Sequence, residues 1–324
     1  MQFYKSDLLQ YLSGSISDTD LLGQLTELGL EVDQSKKEKN DLLIKLDLTP
    51  NRGDCFSLIG IAREVCAVNN LKLKLPKFKK QQQSLDSKKT VSLDKRACSS
   101  YLGQIIKLKS KGKTPEFIKK TLKAADIGQV NPIVDITNYV MLHTGQPLHA
   151  FDNKKIGQKI YVKFPSKRTK LKLLDGASHE ISRDYLTISD EKEVIALAGI
   201  MGCANSEVDE TTQEIFLESA CFEPLSIRGN ARKLGFQSEA SLRFERGVDK
   251  EIQEYAINYA GQLYAEIFGG EFSKIFKQSK NHKVKKISIS KEFIDSRLGT
   301  EIHSAKVIKL LKALEFKVKS KRNL

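Results

Sequence analysis

Residues 134–152 constrain this chain more than any other stretch. They begin as an apolar run, part of a segment at 133–141 whose character is that of a buried helix. A Gly-Gln-Pro turn at Gly145 to Pro147 then breaks the run, and a histidine, His149, follows at once. Thr137, Asn138 and Gln146 are interleaved with the apolar positions. Packing alone does not ask for that mixture. Donors and acceptors held on a rigid apolar backing are what a recognition wall needs.

The rest of the chain reads as alternating short elements. A helix capped at Asp18 or Thr19 puts Leu21, Leu22, Leu25 and Leu28 on one side and stops near Gly29. Residues 34–40 are polar and lysine-rich and read as a loop; 42–48 read as a strand; 49–54 as a turn; 56–68 as a helix. The stretch from Leu71 to Lys95 has five lysines between Lys72 and Lys80, then three glutamines, and reads as a connector or, alternatively, a phosphate-contacting arm. Strands are predicted at 101–109, 160–164, 170–174, 186–188, 194–198 and 215–217, with a hairpin turn at Asp175-Gly176. Helices are predicted from Thr114-Pro115 to about Ala125, at 224–234, and at 252–268 before Gly269-Gly270. From about His282 a further unit begins, with strands at 287–289 and 316–318 and helices at 291–298 and 304–314. Some forty residues do not close a core alone, so this unit reads as cut short. The class is therefore α/β (α+β in its mixture): a small split unit at 1–75, a linker at 76–95, a larger α/β domain at 96–276, and an incomplete unit at 283–324.

Composition removes several function classes. Hydrophobic residues make up 40% of 324, enough for cores and too many for a disordered chain. No apolar run reaches the roughly 18 to 20 residues that span a bilayer, so no membrane association is expected. No secretory h-region follows Met1, and five scattered cysteines without a CxxC suit a reducing, cytoplasmic setting. No metal-ligand spacing, P-loop, dinucleotide fingerprint or nucleophile elbow is present; Gly199 to Gly202 belongs to none of these. The net charge of +14 attracts polyanions and points to nucleic acid, although a lysine-rich proteome would leave the same excess.

Glu218 lies between apolar Ile215-Phe-Leu and Ser-Ala-Cys-Phe and is expected to be buried. A buried carboxylate needs a partner, either an arginine or a ligand hydroxyl. Ser238-Glu-Ala-Ser241 puts hydroxyls beside a small residue, as a loop or the start of a helix.

Six separated motifs carry a resemblance: Thr49-Pro-Asn-Arg-Gly-Asp-Cys, Val134-Asp-Ile-Thr-Asn-Tyr-Val, Gly145-Gln-Pro-Leu-His-Ala-Phe-Asp, Leu174-Asp-Gly, Phe216-Leu-Glu-Ser-Ala-Cys-Phe and Phe244-Glu-Arg-Gly-Val-Asp. In order and spacing they resemble the bacterial phenylalanyl-tRNA synthetase beta subunit, over essentially the whole chain. The resemblance implies that 96–276 is an editing domain, which hydrolyses tyrosine wrongly attached to phenylalanine tRNA. It implies Glu218 as the group recognising the tyrosine hydroxyl and His149 as a positioner of the tRNA 3′ end or of water, these two standing at the reaction. It puts Thr137, Asn138 and His149 on one wall, with Gln146, Ala198, Gly202, Ser238 and Ala240 shaping the rest. It implies no cofactor in this chain, ATP and Mg2+ for the intact enzyme, and phenylalanine tRNA and an alpha subunit as partners in an alpha2/beta2 assembly. An OB-fold insertion usual in the family is missing at 34–40. Cys203 stands where glycine is common and is expected to narrow the pocket; Ser238 replaces a common threonine and keeps its hydroxyl. The alternatives are a non-catalytic RNA-binding or structural piece with a decayed pocket, and a free-standing editing protein.

Overall fold

The computed structural model describes residues 1–79, 81–280 and 285–319. The N-terminal unit starts with β1 (Gln2–Tyr4) and α1 (Lys5–Leu9). Helix α2 (Asp18–Glu27) is capped one residue earlier than expected: the Ser17 hydroxyl accepts from the Asp20 amide, and Asp18 and Asp20 sit in the first turn. Leu21 and Leu25 are buried. Gly29, at φ +74°, takes the left-handed turn that ends the helix. Strands β2 (Glu31–Glu38) and β3 (Asp41–Asp47) follow, in the order β1-β3-β2, all antiparallel. The loop expected at 34–40 is thus mostly strand. Its polar residues lie on an edge paired on one side only, where exposed lysines also discourage further strand addition. Helix α3 (Leu58–Asn69), capped by Ser57, closes this unit over Ile44 and Leu46.

The segment read as a linker contributes strands to two sheets: β4 (Gln83–Leu85) and β5 (Thr90–Leu93). Each runs parallel to a strand that comes much later in the chain, a pairing that local pattern does not reveal. Lys80 lies outside the described residues. Next come β6 (Cys98–Leu108), α4 (Glu116–Ala124), α5 (Pro132–Thr144), β7 (Leu148–Asp152), β8 (Lys159–Lys163), β9 (Thr169–Lys172), β10 (Ser178–Ile181), β11 (Thr187–Ser189), β12 (Val194–Leu197), β13 (Met201–Gly202) and β14 (Glu214–Phe222). The helix expected at 224–234 is two short pieces, α6 (Pro224–Ile227) and α7 (Asn230–Lys233), broken where Gly229 turns to φ +77°. Then follow α8 (Glu239–Arg246), α9 (Gln253–Phe268), β15 (Gly270–Ser273) and β16 (Phe276–Ser279).

These elements stack in three layers. The central sheet has the order β4-β15-β6-β14-β7, with β16 also on β6. On one face, Leu102, Ala150 and Leu217 pack under α4, α5 and α9 with Ile118, Ile136 and Ala260. On the other, Tyr101, Phe151, Phe216 and Phe222 pack against the second sheet, β13-β12-β11-β8-β5, through Val162, Ile188 and Leu197. The β9–β10 hairpin stands apart as a two-stranded ribbon. The period-two alternation of a sheet divides these residues between the faces.

Helices α10 (Lys291–Leu298) and α11 (Ser304–Ala313) match the expected spans and bury no side chain. The strands expected at 287–289 and 316–318 do not form; Ile287 and Phe316 are exposed, with no sheet edge for them to join. The proposed start of this unit at His282 and its last five residues lie outside the described residues. The expected α/β class holds. The first unit and the 96–276 domain are not beads on a string, however. Arg243, wholly buried, donates to the Phe56 carbonyl at 3.0 Å. Lys120 meets Asp41 at 2.6 Å, and the Tyr11 hydroxyl meets His143 Nδ1 at 2.5 Å. Among the described residues, no helix is long and apolar enough to cross a membrane.

Candidate functional site

Glu218 and His149 are direct cross-strand partners on β14 and β7. Residues in that relation have Cβ atoms roughly 5 Å apart and share a face of the sheet. Their face is the one turned to the second sheet, because Phe151 and Phe216, two residues along, are in that core. Glu218 is 5% exposed. It has no arginine partner among the described residues; the Tyr101 hydroxyl donates to its Oε2 at 2.6 Å. Burial raises its carboxyl to about 7, against the lowering effect of the Tyr101 bond. His149 packs edge-on against Phe151, ring centroids 4.4 Å apart, and burial holds its imidazole down to about 4, neutral at physiological pH.

The two side chains line a cavity of about 70 Å³, bounded also by Leu148, Met201, Gly202 and Ala240. Gly202 is there for close approach: a Cβ at this position would lie 2.8 Å from His149 Cε1 and 3.0 Å from Leu174 Cδ1. A larger cavity, about 320 Å³, lies against residues 83–87 and 274–276. It contains no carboxylate facing a histidine, so chemistry rather than size distinguishes the smaller one.

The other predicted residues divide. Gly202 and Ala240 line the cavity with His149 and Glu218. Thr137 and Asn138 do not; they belong to α5, and the Thr137 hydroxyl donates to the Val134 carbonyl at 2.7 Å. Gln146 is fully buried and fully used. Its Nε2 donates to the Pro147 and Ala220 carbonyls, each at 2.8 Å, while its Oε1 accepts from Gln253 at 3.0 Å. It anchors the turn into β7 rather than facing the cavity. Ala198 is in the core behind the lining. Ser238 caps α8, accepting from the Ser241 amide and donating to the Ile200 carbonyl at 2.8 Å. It thus fastens α8 to the loop that lines the cavity, one layer back. Cys203, expected to narrow the pocket, is buried in the core and bridges to Leu173 instead.

Tyr101 was missed. No local signal marks it; only the pairing of β6 with β14, Tyr101 opposite Ala220, carries its hydroxyl to Glu218.

Comparison with known proteins places this site in a lineage. The B3/4 domain model matches residues 97–269, more than half of the chain. The chain belongs to the B3/4 domain family. The B3/4 segment holds every residue of the candidate site, from Tyr101 to Ala240. The phenylalanine–tRNA ligase beta subunit of Photorhabdus laumondii is 39% identical over 289 residues, 88% of this chain and 36% of that protein. The same subunit of Rhodopirellula baltica is 37% identical over 313 residues, 95% of this chain and 46% of its own length. The chain thus spans between a third and a half of the length of these relatives. An N-terminal fragment of the phenylalanyl-tRNA synthetase beta subunit from Pyrococcus horikoshii aligns over 99% of this chain and 91% of its own, with 18% identity and a TM-score of 0.46. The resemblance carried by the six motifs is borne out along the B3/4 segment and beyond it.

Proposed function

We propose that this chain is the editing portion of a phenylalanine–tRNA ligase beta subunit, with 96–276 as the editing domain, and that it hydrolyses tyrosine from mischarged phenylalanine tRNA. The observation carrying this reading is Glu218: a buried carboxylate with no cationic partner among the described residues, opposite a neutral histidine, in a B3/4 domain. Tyrosine and phenylalanine differ by one hydroxyl. A buried acceptor rejects the ligand lacking that hydroxyl because its own lone pair is then left unpaired. Tyr101 holds one carboxylate oxygen in place and leaves the other for the incoming phenol. Water then attacks the ester carbonyl carbon; the carbon–oxygen bond to the ribose breaks, releasing tyrosine and tRNA. His149, neutral, orients the ester or the water and is not required to carry charge.

Nothing in this site suits ATP or magnesium. Its one carboxylate is bonded to a tyrosine, and no step through either is assigned to this chain. Aminoacylation belongs, on this reading, to the intact enzyme with its alpha subunit, in the cytoplasm. A second reading, a structural or RNA-binding piece with a decayed pocket, is favoured by the cavity's small volume, about 70 Å³.

A deacylation assay separates the two. The purified chain should clear Tyr-tRNA(Phe) faster than Phe-tRNA(Phe), and Glu218→Ala should remove that preference at a cost of about 2–3 kcal/mol in kcat/KM. An unchanged preference in the variant sinks the role of Glu218; no turnover by the wild type favours the decayed pocket.

A further inference from the structure

Residues 153–174 contain eight lysines and arginines and no aspartate or glutamate, in a chain whose net charge is +14. Half of these cations lead into or lie on the β9–β10 ribbon. Lys170 and Lys172 are exposed and, two apart, point to the same face of β9, while Leu171 between them turns toward the core. Lys167 and Arg168 precede them, also exposed. One acid of the ribbon strands faces them: Glu180, the direct cross-strand partner of Lys170. Arg168 reaches Glu180 at 3.9 Å with both side chains largely in solvent. Asp175, at the turn, is held by His179 at 2.8 Å. Among the described residues no ion pair involves Lys167, Lys170 or Lys172.

The ribbon is fastened to the candidate site by its turn. The Leu174 amide donates to the Gly202 carbonyl at 3.1 Å, and Leu173 bridges to Cys203. The Leu174 methyl stands beside Gly202 and the His149 ring. At roughly 3.3 Å per residue, Lys172 and Lys170 lie about 7 and 13 Å from Leu174 along the strand. The cations therefore form a line that ends at the cavity mouth.

We propose that the β9–β10 ribbon is a track for an RNA backbone: Lys172, Lys170, Arg168 and Lys167 take phosphates of a single-stranded 3′ end whose terminal aminoacyl ester lies at Glu218 and His149. The inference rests on the editing reading for the ester and names the contact that delivers it. Recognition along the track is by charge and not by base identity, because flexible ammonium groups position phosphates without reading bases.

The test uses the whole 324-residue chain and uncharged phenylalanine tRNA, in anisotropy titrations across a salt series. The ribbon variant is Lys170→Glu/Lys172→Glu. The control carries the same charge change on the distant β2 edge, Lys36→Glu/Lys37→Glu. The ribbon pair should weaken binding roughly tenfold and flatten the log–log salt slope by about 1.4, that is 0.7 for each of two lost single-strand contacts, while the control pair stays within about twofold. On Tyr-tRNA(Phe) the ribbon pair should raise KM and spare kcat. Equal weakening by both pairs, or unchanged binding by the ribbon pair, overturns the track. Ribbon-dependent binding by a wild-type chain without hydrolysis supports the track and sinks the editing reading alone. Should the charge reversal lower the melting temperature, Lys170→Gln/Lys172→Gln serves in its place with the same slope change.

Discussion

At neutral pH the Glu218 carboxyl sits near its own titration midpoint. Its value is raised from 4.5 to about 7, first by burial. The folded state therefore holds this proton more tightly than the unfolded chain does. Its contribution is zero below about 4.5 and increasingly unfavourable as pH rises through 7. Glu218→Gln should accordingly gain melting temperature relative to the wild type between pH 5 and pH 8, and lose any rise in tyrosine-over-phenylalanine selectivity across pH 7. Parallel melting curves for the two proteins across that range would remove the burial argument. At this scale the sequence was informative. Apolar neighbours on both sides announced a buried Glu218, and the Gly-Gln-Pro break announced a special turn before His149. What it did not contain was the partner: the nearest arginine was as plausible as a tyrosine 117 residues away.

The element that organises the site is β14, nine residues long, paired to β6 on one side and β7 on the other. Gly103 of β6 lies opposite Glu218, and the Phe216 ring lies over it. A Cβ at 103 would sit 2.3 Å from Phe216 Cζ. Phe216 is 1% exposed in a filled core and has nowhere to go. Gly103→Ala should cost about 1–3 kcal/mol in urea unfolding, and Phe216→Leu in the same chain should recover part of it. Equal stability of Gly103→Ala and the wild type would show that the ring yields. Helices with caps and a clear apolar face, α2, α3, α5 and α9, were legible. Strands β4, β5, β10 and β13 were not: they are two to four residues long and owe their form to distant neighbours. Eleven residues of sequence separate Asn138 from His149, and no periodicity within α5 or β7 says how the two elements fold onto each other.

Across the whole molecule, the N-terminal unit is fastened by polar groups where apolar contact alone would have served. The Tyr11 hydroxyl and His143 Nδ1 share a hydrogen bond, and His143 Nε2 is buried with no partner among the described residues. Burial lowers His143 from 6.5 to about 3, as it lowers His149 to about 4. Both are neutral in the fold and charge more readily when unfolded, so stability is full above about 6.5 and falls as pH drops toward 4. His143→Gln removes one of the two titrations, and its melting temperature should fall less than that of the wild type between pH 7 and pH 4; an equal fall would show that His143 already reaches solvent. Domain docking of this kind was invisible beforehand, because no motif joins Tyr11 to His143. Strand β14, hydrogen-bonded on both sides and buried on both faces, should hold the slowest-exchanging amides in the chain, and α10 and α11 the fastest. The same contrast runs through the site at close range. Glu218 is carried by the strand paired on both sides, while Gly202 and Met201 belong to a two-residue strand at the end of its sheet, paired with β12 and met by the Leu174 amide. On the proposed reading, a hydroxyl acceptor on the stiffest strand, opposite a short edge strand, separates the task of judging an amino acid from the task of admitting it.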